Sequence, residues 1–583
     1  TISDIQYVDA DLDGFNDDLA FTFADGGSAE LHTVTVLDQT TDAVEIVKFD
    51  FNEDGTVDSS AERFRLASSL DAGSSSTNTI IIGTDGSDEI GGSNFNDVIF
   101  GYGGDDVISG RKGDDRIDGG LGNDTVSFSD LSDGINVDLN DGSASGTTAG
   151  SDTLINVENV IGSAGADIIT GDDQNNILAG GAGNDVVSGG AGDDQLTGGA
   201  GTDTISFVGD NSGVSVSLTD GTSDGADSGS DELDGFENVI GGDGDDVIIG
   251  SDGANRLDGG AGNDLLTALG GDDEIIGGSG IDTASFDTLS DDVSVDLSSG
   301  TVSGVETGND TISGVENIVT GDGSDTVLGD NSDNIIRTGR GADTIDGGQG
   351  DDTLDGGAGS DTLSFSSDAA GVDVDLGAGT SEGTSAGSDQ FTNFENVRGG
   401  SGNDRLQGDA ENNILTGEGG ADELLGGGGD DTLRGNAGAD TLDGGEGDDV
   451  LTGGAGNDIY IVSDGNDSIN AGQGSDTLKV PSDYSITGIV LNSGSGDLEI
   501  SLTKNTDAST HLTTITNSVS QPVTTLIQEN EDGTETELGL RVTFNQGSGT
   551  YSASTSSNTF VIGTIGQDSL RGGSGDDVIL GNA

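Results

Sequence analysis

Gly444-Gly-Glu-Gly-Asp-Asp-Val-Leu-Thr452 is the stretch whose reading decides the fold. It fits the template G-G-x-G-x-D-x-U-x, where U is a large apolar residue. The glycine-rich half reads as a tight turn, because such a turn needs left-handed backbone and close approach of neighbouring chain. The Asp at position six closes the turn. The last three residues read as a short strand whose middle side chain points to one face. One phrase cannot bury that side chain alone, whereas stacked phrases can, so repetition implies an all-β solenoid.

The template recurs in thirty-one registers. Four blocks of five phrases begin at Gly83, Gly162, Gly241 and Thr320. A fifth block of nine runs from Gly399 to Lys479, and two phrases follow Gly563. Each block begins 79 residues after the last, as 45 residues of phrases and a 34-residue spacer. Position six holds Asp88, Asp97, Asp106, Asp115 and Asp124 in the first block, and Asp167, Asp185, Asp194 and Asp203 in the second. It holds Asp246, Asp264, Asp273 and Asp282 in the third, and Asp325, Asp343, Asp352 and Asp361 in the fourth. In the fifth it holds Asp404, Asp422, Asp431, Asp440, Asp449, Asp458, Asp467 and Asp476, and at the end Asp568 and Asp577. In blocks two to five the second phrase carries Asn instead, at Asn176, Asn255, Asn334 and Asn413.

The phrase resembles the calcium-binding repeat of RTX (hemolysin-type) proteins. The resemblance implies a parallel β-roll in which two phrases make one coil and Ca²⁺ sits between the turns of neighbouring coils. It further implies that the position-six carboxylates just named and the turn carbonyls are the ligands, with roughly one ion per phrase. Hard oxygen ligands are what Ca²⁺ requires. The Asn turns bring no charge to a site, so they are expected to hold calcium weakly or not at all, or only to hydrogen-bond the turn at the spacer junction.

Composition agrees with a need for cations. The 583 residues include 110 Asp+Glu and 16 Lys+Arg, a net charge of −94, with 107 Gly and 30% hydrophobic residues. Such a chain stays disordered unless its charge is neutralised. The same charge repels nucleic acid and anionic membrane, and no apolar run reaches the ~18 residues of a membrane span. There is no Cys, so disulfides, thiol nucleophiles and Cys-type zinc sites are excluded. The two histidines, His32 and His511, read as ordinary strand residues. The chain does not begin with Met and shows no signal peptide, so it reads as a processed or excised piece. The RTX resemblance implies export by a C-terminal signal through a one-step channel; such a signal is expected beyond Ala583.

The spacers begin at Phe128, Phe207, Phe286 and Phe365. Each carries an alternating strand such as Val137-Asp138-Leu139, then an acid (Asp152, Asp231, Asp310, Asp389). A Glu-Asn pair follows, the first being Glu158-Asn159. Thirty-four residues is close to two coils of 18. The spacers are expected to continue the solenoid with altered turns, the alternative being a hairpin looped out from the side. If they stay in the stack, the 397 residues from Gly83 to Lys479 make about 22 coils, or roughly 105 Å at the usual strand spacing. The repeated Phe reads as a core or cap residue. Tyr460, at an apolar position, reads as the end of the regular core.

The ends differ. Residues 1–82 read as an antiparallel β module with two acidic loops, Asp9, Asp11, Asp13 and Asp17, and Asp50, Asn52, Asp54 and Asp58. Both match the first half of an EF-hand loop but have Ala20 or Ala61 where a bidentate Glu belongs. They read as isolated calcium loops. The expected domains are this module, RTX units 83–161, 162–240, 241–319 and 320–398, the block 399–479, a second β module 480–562 and a further block from 563. The second module echoes the first, so the chain repeats at nine, 79 and about 480 residues.

An enzyme is not indicated. There is no H-E-x-x-H zinc helix and no G-x-S-x-G elbow set between strand and helix. The paired acids recur with the turn template instead of forming one site. The composition resembles RTX surface-layer proteins and fibril-forming RTX proteins. Two functions remain: a secreted subunit of a cell-surface layer, sheath or fibril, folding on export as Ca²⁺ binds, or the extender of a large RTX adhesin. Expected partners are Ca²⁺, further copies of the chain, and as a candidate a cell-surface polysaccharide.

Overall fold

Each phrase folds as a turn followed by a short strand whose central residue is buried. The computed structural model describes residues 79–491, 497–506 and 508–516 and, in the flanks, strand segments at 2–8, 18–24, 31–36, 46–47, 63–66, 69–71, 523–529, 534–537, 550–552, 560–562, 569–571 and 578–580. The described residues are strands and turns without helix, so the chain is all-β. It divides into two units, Thr1–Asp264 and Leu265–Ala583.

In the first unit, successive phrases alternate between two parallel sheets. One sheet aligns Ile99 with Ile117 and Ile169 with Val187 and Ile205. The other aligns Ile90, Ile108, Val126, Val160, Leu178 and Leu196 in one unbroken ladder. These eleven side chains are at most 2% exposed. Each removes an aliphatic group worth about 1.5–3 kcal/mol from water, and each coil adds one to either sheet. The second unit repeats the arrangement, with Leu415, Leu433 and Leu451 in one sheet and Leu406, Leu424, Leu442 and Tyr460 in the other.

The spacers stay within the sheets, but not as two ordinary coils. In the first, strands Ile135–Asp138, Ser143–Gly146 and Gly150–Ile155 form an antiparallel meander. Its last strand pairs in parallel with Arg116–Leu121 before it, and its first pairs in parallel with Ile168–Thr170 after it. The meander therefore runs backwards along the stack. A junction strand, Asn159–Ile161, keeps the opposite sheet continuous. The second spacer repeats this on the other sheet. The second unit does the same, with its two meanders again in different sheets. The repeated phenylalanines are core residues, 1–4% exposed.

Tyr460 does not end the core. Its strand pairs with Asp476–Val480, beyond which Val523–Glu529 continues the same sheet. A phenol fits the interior because its hydroxyl accepts from Gly453 N (2.8 Å) and donates to the Ala471 carbonyl (3.1 Å). Past Lys479, strands Tyr484–Leu491, Leu498–Lys504 and Thr510–Ile515 form a longer version of the spacer meander, docked on Ser468–Asn470. His511 is a packing residue there. Its Nδ1 accepts from Gly465 N (2.9 Å) and its ring meets Tyr484 edge-on. Asp464, accepting from Tyr484 Oη and paired with Lys504, pins this meander to the turn.

Position four demands glycine in the regular turns, although Phe95, Gln174, Ser332 and Glu411 stand there in others. Gly456 has φ 158° and an added Cβ would overlap the Gly438 carbonyl of the coil below. Gly428, at position three, has only ordinary contacts with Ala410. Gly456→Ala should therefore cost about 2–3 kcal/mol, while Gly428→Ala stays within about 0.5 kcal/mol. Thermal melts of the calcium-loaded variants check this, and equal melting temperatures would contradict it.

Candidate metal centre

The position-six carboxylates lie inside the coil, at 0–4% exposure for every described one from Asp88 to Asp476. The turn aims them inward and the strand that follows fixes their spacing. One oxygen accepts the main-chain N–H of the equivalent residue one coil earlier. Asp88 N donates to Asp106 Oδ1 (2.8 Å), Asp106 N to Asp124 Oδ1 (2.8 Å), and Asp185 N to Asp203 Oδ1 (2.8 Å). In the second unit Asp404, Asp422, Asp440, Asp458 and Asp476 form one such ladder at 2.9–3.1 Å. A second ladder on the outer edge runs the opposite way, as in Asn123 N to Asp105 Oδ1 (2.9 Å) and Asp448 N to Asp430 Oδ1 (2.9 Å).

The second inner oxygen is the unusual atom. On Asp106, Asp115, Asp124, Asp185, Asp194, Asp203, Asp352, Asp361, Asp422, Asp431, Asp440, Asp449 and Asp458, Oδ2 is buried with no hydrogen-bond partner. A buried, unpartnered carboxylate oxygen is costly unless a positive charge meets it. It lies against the glycine that opens the phrase. A Cβ on Gly101 would overlap both Asp106 Oδ2 and the Gly119 carbonyl oxygen of the next coil. Carboxylate and carbonyl oxygens thus converge on a space without side chains, a donor set that fits a hard cation. Among the described residues no three acidic or histidine side chains cluster. Backbone carbonyls must therefore complete any site.

Burial, the largest cause, lifts these carboxyls. Asp106 and Asp185 rise to about 6, Asp194, Asp422 and Asp431 to about 7, and Asp115 and Asp467 to about 8. The N–H from the preceding coil opposes the shift, and neighbouring acids add to it.

At the spacers the ladder is rebuilt from other residues. Asp115 N donates to Asp152 Oδ1 (2.9 Å), and Asp194 N to Asp231 Oδ1 (3.1 Å). The Glu of each Glu-Asn pair does the same on the other sheet, with Glu158, Glu237, Glu316 and Glu395 accepting from Asp124, Asp203, Asp282 and Asp361 N at 2.8–2.9 Å. Sequence reading singled out the pair without finding this role. The constant 34-residue offset from Asp to Glu was the available signal. The Asn turns also differ, since Asn176 Nδ2 donates to the Glu158 carbonyl (2.7 Å) and Asn334 Nδ2 to the Glu316 carbonyl (2.7 Å). The expected loop ligands Asp9, Asp11, Asp13, Asp17, Asp50, Asn52, Asp54 and Asp58, and the terminal Asp568 and Asp577, lie outside the described residues.

Two outcomes are expected. Folded-state values above the unfolded ~3.9 mean that the protonated carboxyls favour the metal-free roll. That stability is complete below about pH 4 and lost as pH rises through the 6–8 window of the folded values. In chelator, the strand signal in circular dichroism should fall between about pH 5 and 8, and millimolar Ca²⁺ should restore it at pH 8. A chelator spectrum that ignores pH would contradict this. Separately, Asp231 Oδ2 accepts from Ser223 Oγ (2.6 Å), whereas Asp152, opposite Ala144, has no partner for Oδ2. Ala144→Ser should stabilise the roll by about 1 kcal/mol, read as a higher melting temperature.

Comparison with known proteins places these features. The model of the RTX calcium-binding nonapeptide repeat matches residues 91–126, 157–187, 170–205, 233–266, 249–284, 310–344, 328–363, 398–433, 425–460, 453–479 and 554–583, more than half of the chain. A comparison with curated proteins finds no match. Among solved structures, the crystal structure of extracellular lipase LipA from Serratia marcescens is similar at 19% identity, over 49% of this chain and 38% of that one, with a TM-score of 0.14. The chain thus spans well under two thirds of that protein's length, and a likeness at this level bears on neither activity nor substrate. The repeats bind Ca²⁺, and with strands, turns and matched residues in agreement the chain belongs to the RTX calcium-binding nonapeptide repeat family.

Proposed function

We propose that the chain is a structural region of a secreted protein that builds a cell-surface layer, sheath or fibril, held in shape by Ca²⁺ at its position-six carboxylates and turn carbonyls. The observation that supports this reading best is the use of the repeats. Within each unit, nearly every phrase and spacer is spent on continuing two sheets and their inner ladders. Repeats that each contact only their neighbours extend without limit and present identical faces at fixed spacing, which suits a building material. A surface groove along Asp373, Arg405 and Glu423 has its cation engaged by Asp373 (3.0 Å) and Glu423 (3.2 Å), so it reads as a salt-bridged face and not as an anion-binding site.

Family members are typically exported by type I secretion. A chain of charge −94 stays unfolded in a calcium-poor cytosol and folds where calcium is abundant, which suits passage through a channel. Among the described residues, no helix is long and apolar enough to cross a membrane. Self-association then follows outside the cell, with a cell-surface polysaccharide as the candidate anchor.

Electron microscopy of the purified chain in millimolar Ca²⁺, and of the source cells, tests this. Sheets or filaments with a constant repeat, lost in chelator, are expected. A chain that stays monomeric at all concentrations, on cells without a lattice or ordered fibrils, would count against it.

A further inference from the structure

The turns fall into two classes by backbone conformation. In phrases three to five of the first block, position two is left-handed: Tyr102 φ 82°, Arg111 φ 68° and Gly120 φ 110°. The second block repeats this at Gly181 φ 109°, Gly190 φ 87° and Gly199 φ 115°. Tyr and Arg rarely adopt that region, so the conformation is imposed by the stack and not chosen by the residue. In the first two phrases of these blocks, position two is Thr84, Ser93, Ser163 or Asp172, and none has positive φ.

The hydrogen bonds divide at the same place. In the early turns the position-two N–H points at the position-six side chain. Ser93 N donates to Asp97 Oδ2 (2.5 Å), Ser163 N to Asp167 Oδ2 (2.5 Å) and Gly400 N to Asp404 Oδ2 (2.9 Å). Likewise Asp172 N donates to Asn176 Oδ1 (2.8 Å) and Asp409 N to Asn413 Oδ1 (2.9 Å). In the later turns the corresponding oxygen, on Asp106, Asp115, Asp185 or Asp194 for example, is buried and unpartnered. The fourth block keeps the pattern in its second phrase, where Asp330 N donates to Asn334 Oδ1 (3.0 Å). Its first phrase is the exception, since Asp325 Oδ2 is buried and unpartnered there as in the open turns.

We infer that the early turns whose position-two N–H reaches the position-six side chain are closed by their own backbone and take no ion, so that calcium enters this chain in clusters at the open turns. The inference rests on the calcium reading of the open turns. An N–H aimed at the side chain puts the positive end of a peptide dipole where a cation would sit. The Asn turns add a second positive end, since their amide nitrogen binds the Glu carbonyl of the spacer. A closed turn therefore satisfies its own polar groups, while an open turn leaves an anionic oxygen that only a cation can satisfy. Asp404 matches the repeat template as well as Asp194 does, and is separated from it by backbone alone.

The test uses the full chain with Ca²⁺ as the only added ligand. Bound ions are counted by equilibrium dialysis and located in crystal or electron-microscopy maps. Ions at the open turns and none at Asp97, Asp167 or the Asn turns are expected. Asp194→Asn should lose at least one ion and raise the calcium midpoint of folding, whereas Asp167→Asn, the same chemical change, should keep the count. Asn176→Asp should gain no ion. Ion density in the closed turns, equal losses from the two Asp variants, or a gained ion at residue 176 would overturn the inference. If Asp194→Asn does not fold, the ion positions in the unmodified chain decide. Calcium-dependent folding with an ion in every turn would sink this inference alone. A chain that neither binds calcium nor folds with it would sink the calcium reading beneath it.

Discussion

A carboxylate buried between coils is the constraint on which the rest of the structure depends. Its first oxygen holds the N–H of the coil before it, so each Asp is a rivet between two coils. Its second oxygen cannot reach water. The apolar interior alone is thin, one aliphatic side chain per coil on either sheet, and cannot offset a row of bare charges. The roll is therefore stable only where those charges are neutralised, and any cation that neutralises them adds its binding free energy to folding. This is why a chain with 107 Gly and a charge of −94 can still be a folded protein.

The spacer junctions solve the same problem with side chains. The Glu carboxylate reaches a position-six N–H 34 residues earlier, where the ladder would otherwise break. The following Asn offers its side-chain oxygen to a strand N–H, as Asn159 does for Ile177 (2.8 Å) and Asn238 for Arg256 (2.9 Å). Its exposed Glu carbonyl is then met by the amide of the Asn turn one coil later. Three polar side chains thus take the place of one carboxylate at the junction. Asp at residue 176 would lose this donor, and its carboxylate would face the Glu158 carbonyl.

Most of the fold was legible because its determinants are local and periodic. The spacing of Ile90, Ile99 and Ile108 gives strands, alternating sheets and a dry core without reference to anything distant. The buried position-six Asp follows from the same phrase. What could not be read was set by pairing across the stack. The segment Val137-Asp138-Leu139 shows a strand, but nothing in it says that its partner Ile168–Thr170 lies ahead and that the meander runs backwards. Tyr460 looks like a terminus by its size and polarity, yet two hydrogen bonds from neighbouring turns admit it to the core. The difference between Asp404 and Asp194 is likewise invisible in the template, since it lies in the φ of a glycine four positions earlier.

The length of the repeat has a consequence of its own. A 79-residue unit fills seven positions along the two sheets: five phrase strands, one meander and one junction strand. Because phrases alternate between sheets, an odd number makes each unit begin on the sheet opposite to its predecessor. Successive meanders must then fall on opposite sheets, as they do in the first unit at Ile135–Ile155 and Val214–Asp234. A meander puts three strands where the facing sheet has one. With an even count, every surplus would accumulate in the same sheet, and coils would lose register between the two ladders that hold them. With an odd count each surplus is matched by the next, so both sheets gain strands equally over two spacers. Five phrases per block is thus a length that lets spacers be inserted repeatedly while the position-six carboxylates stay in line.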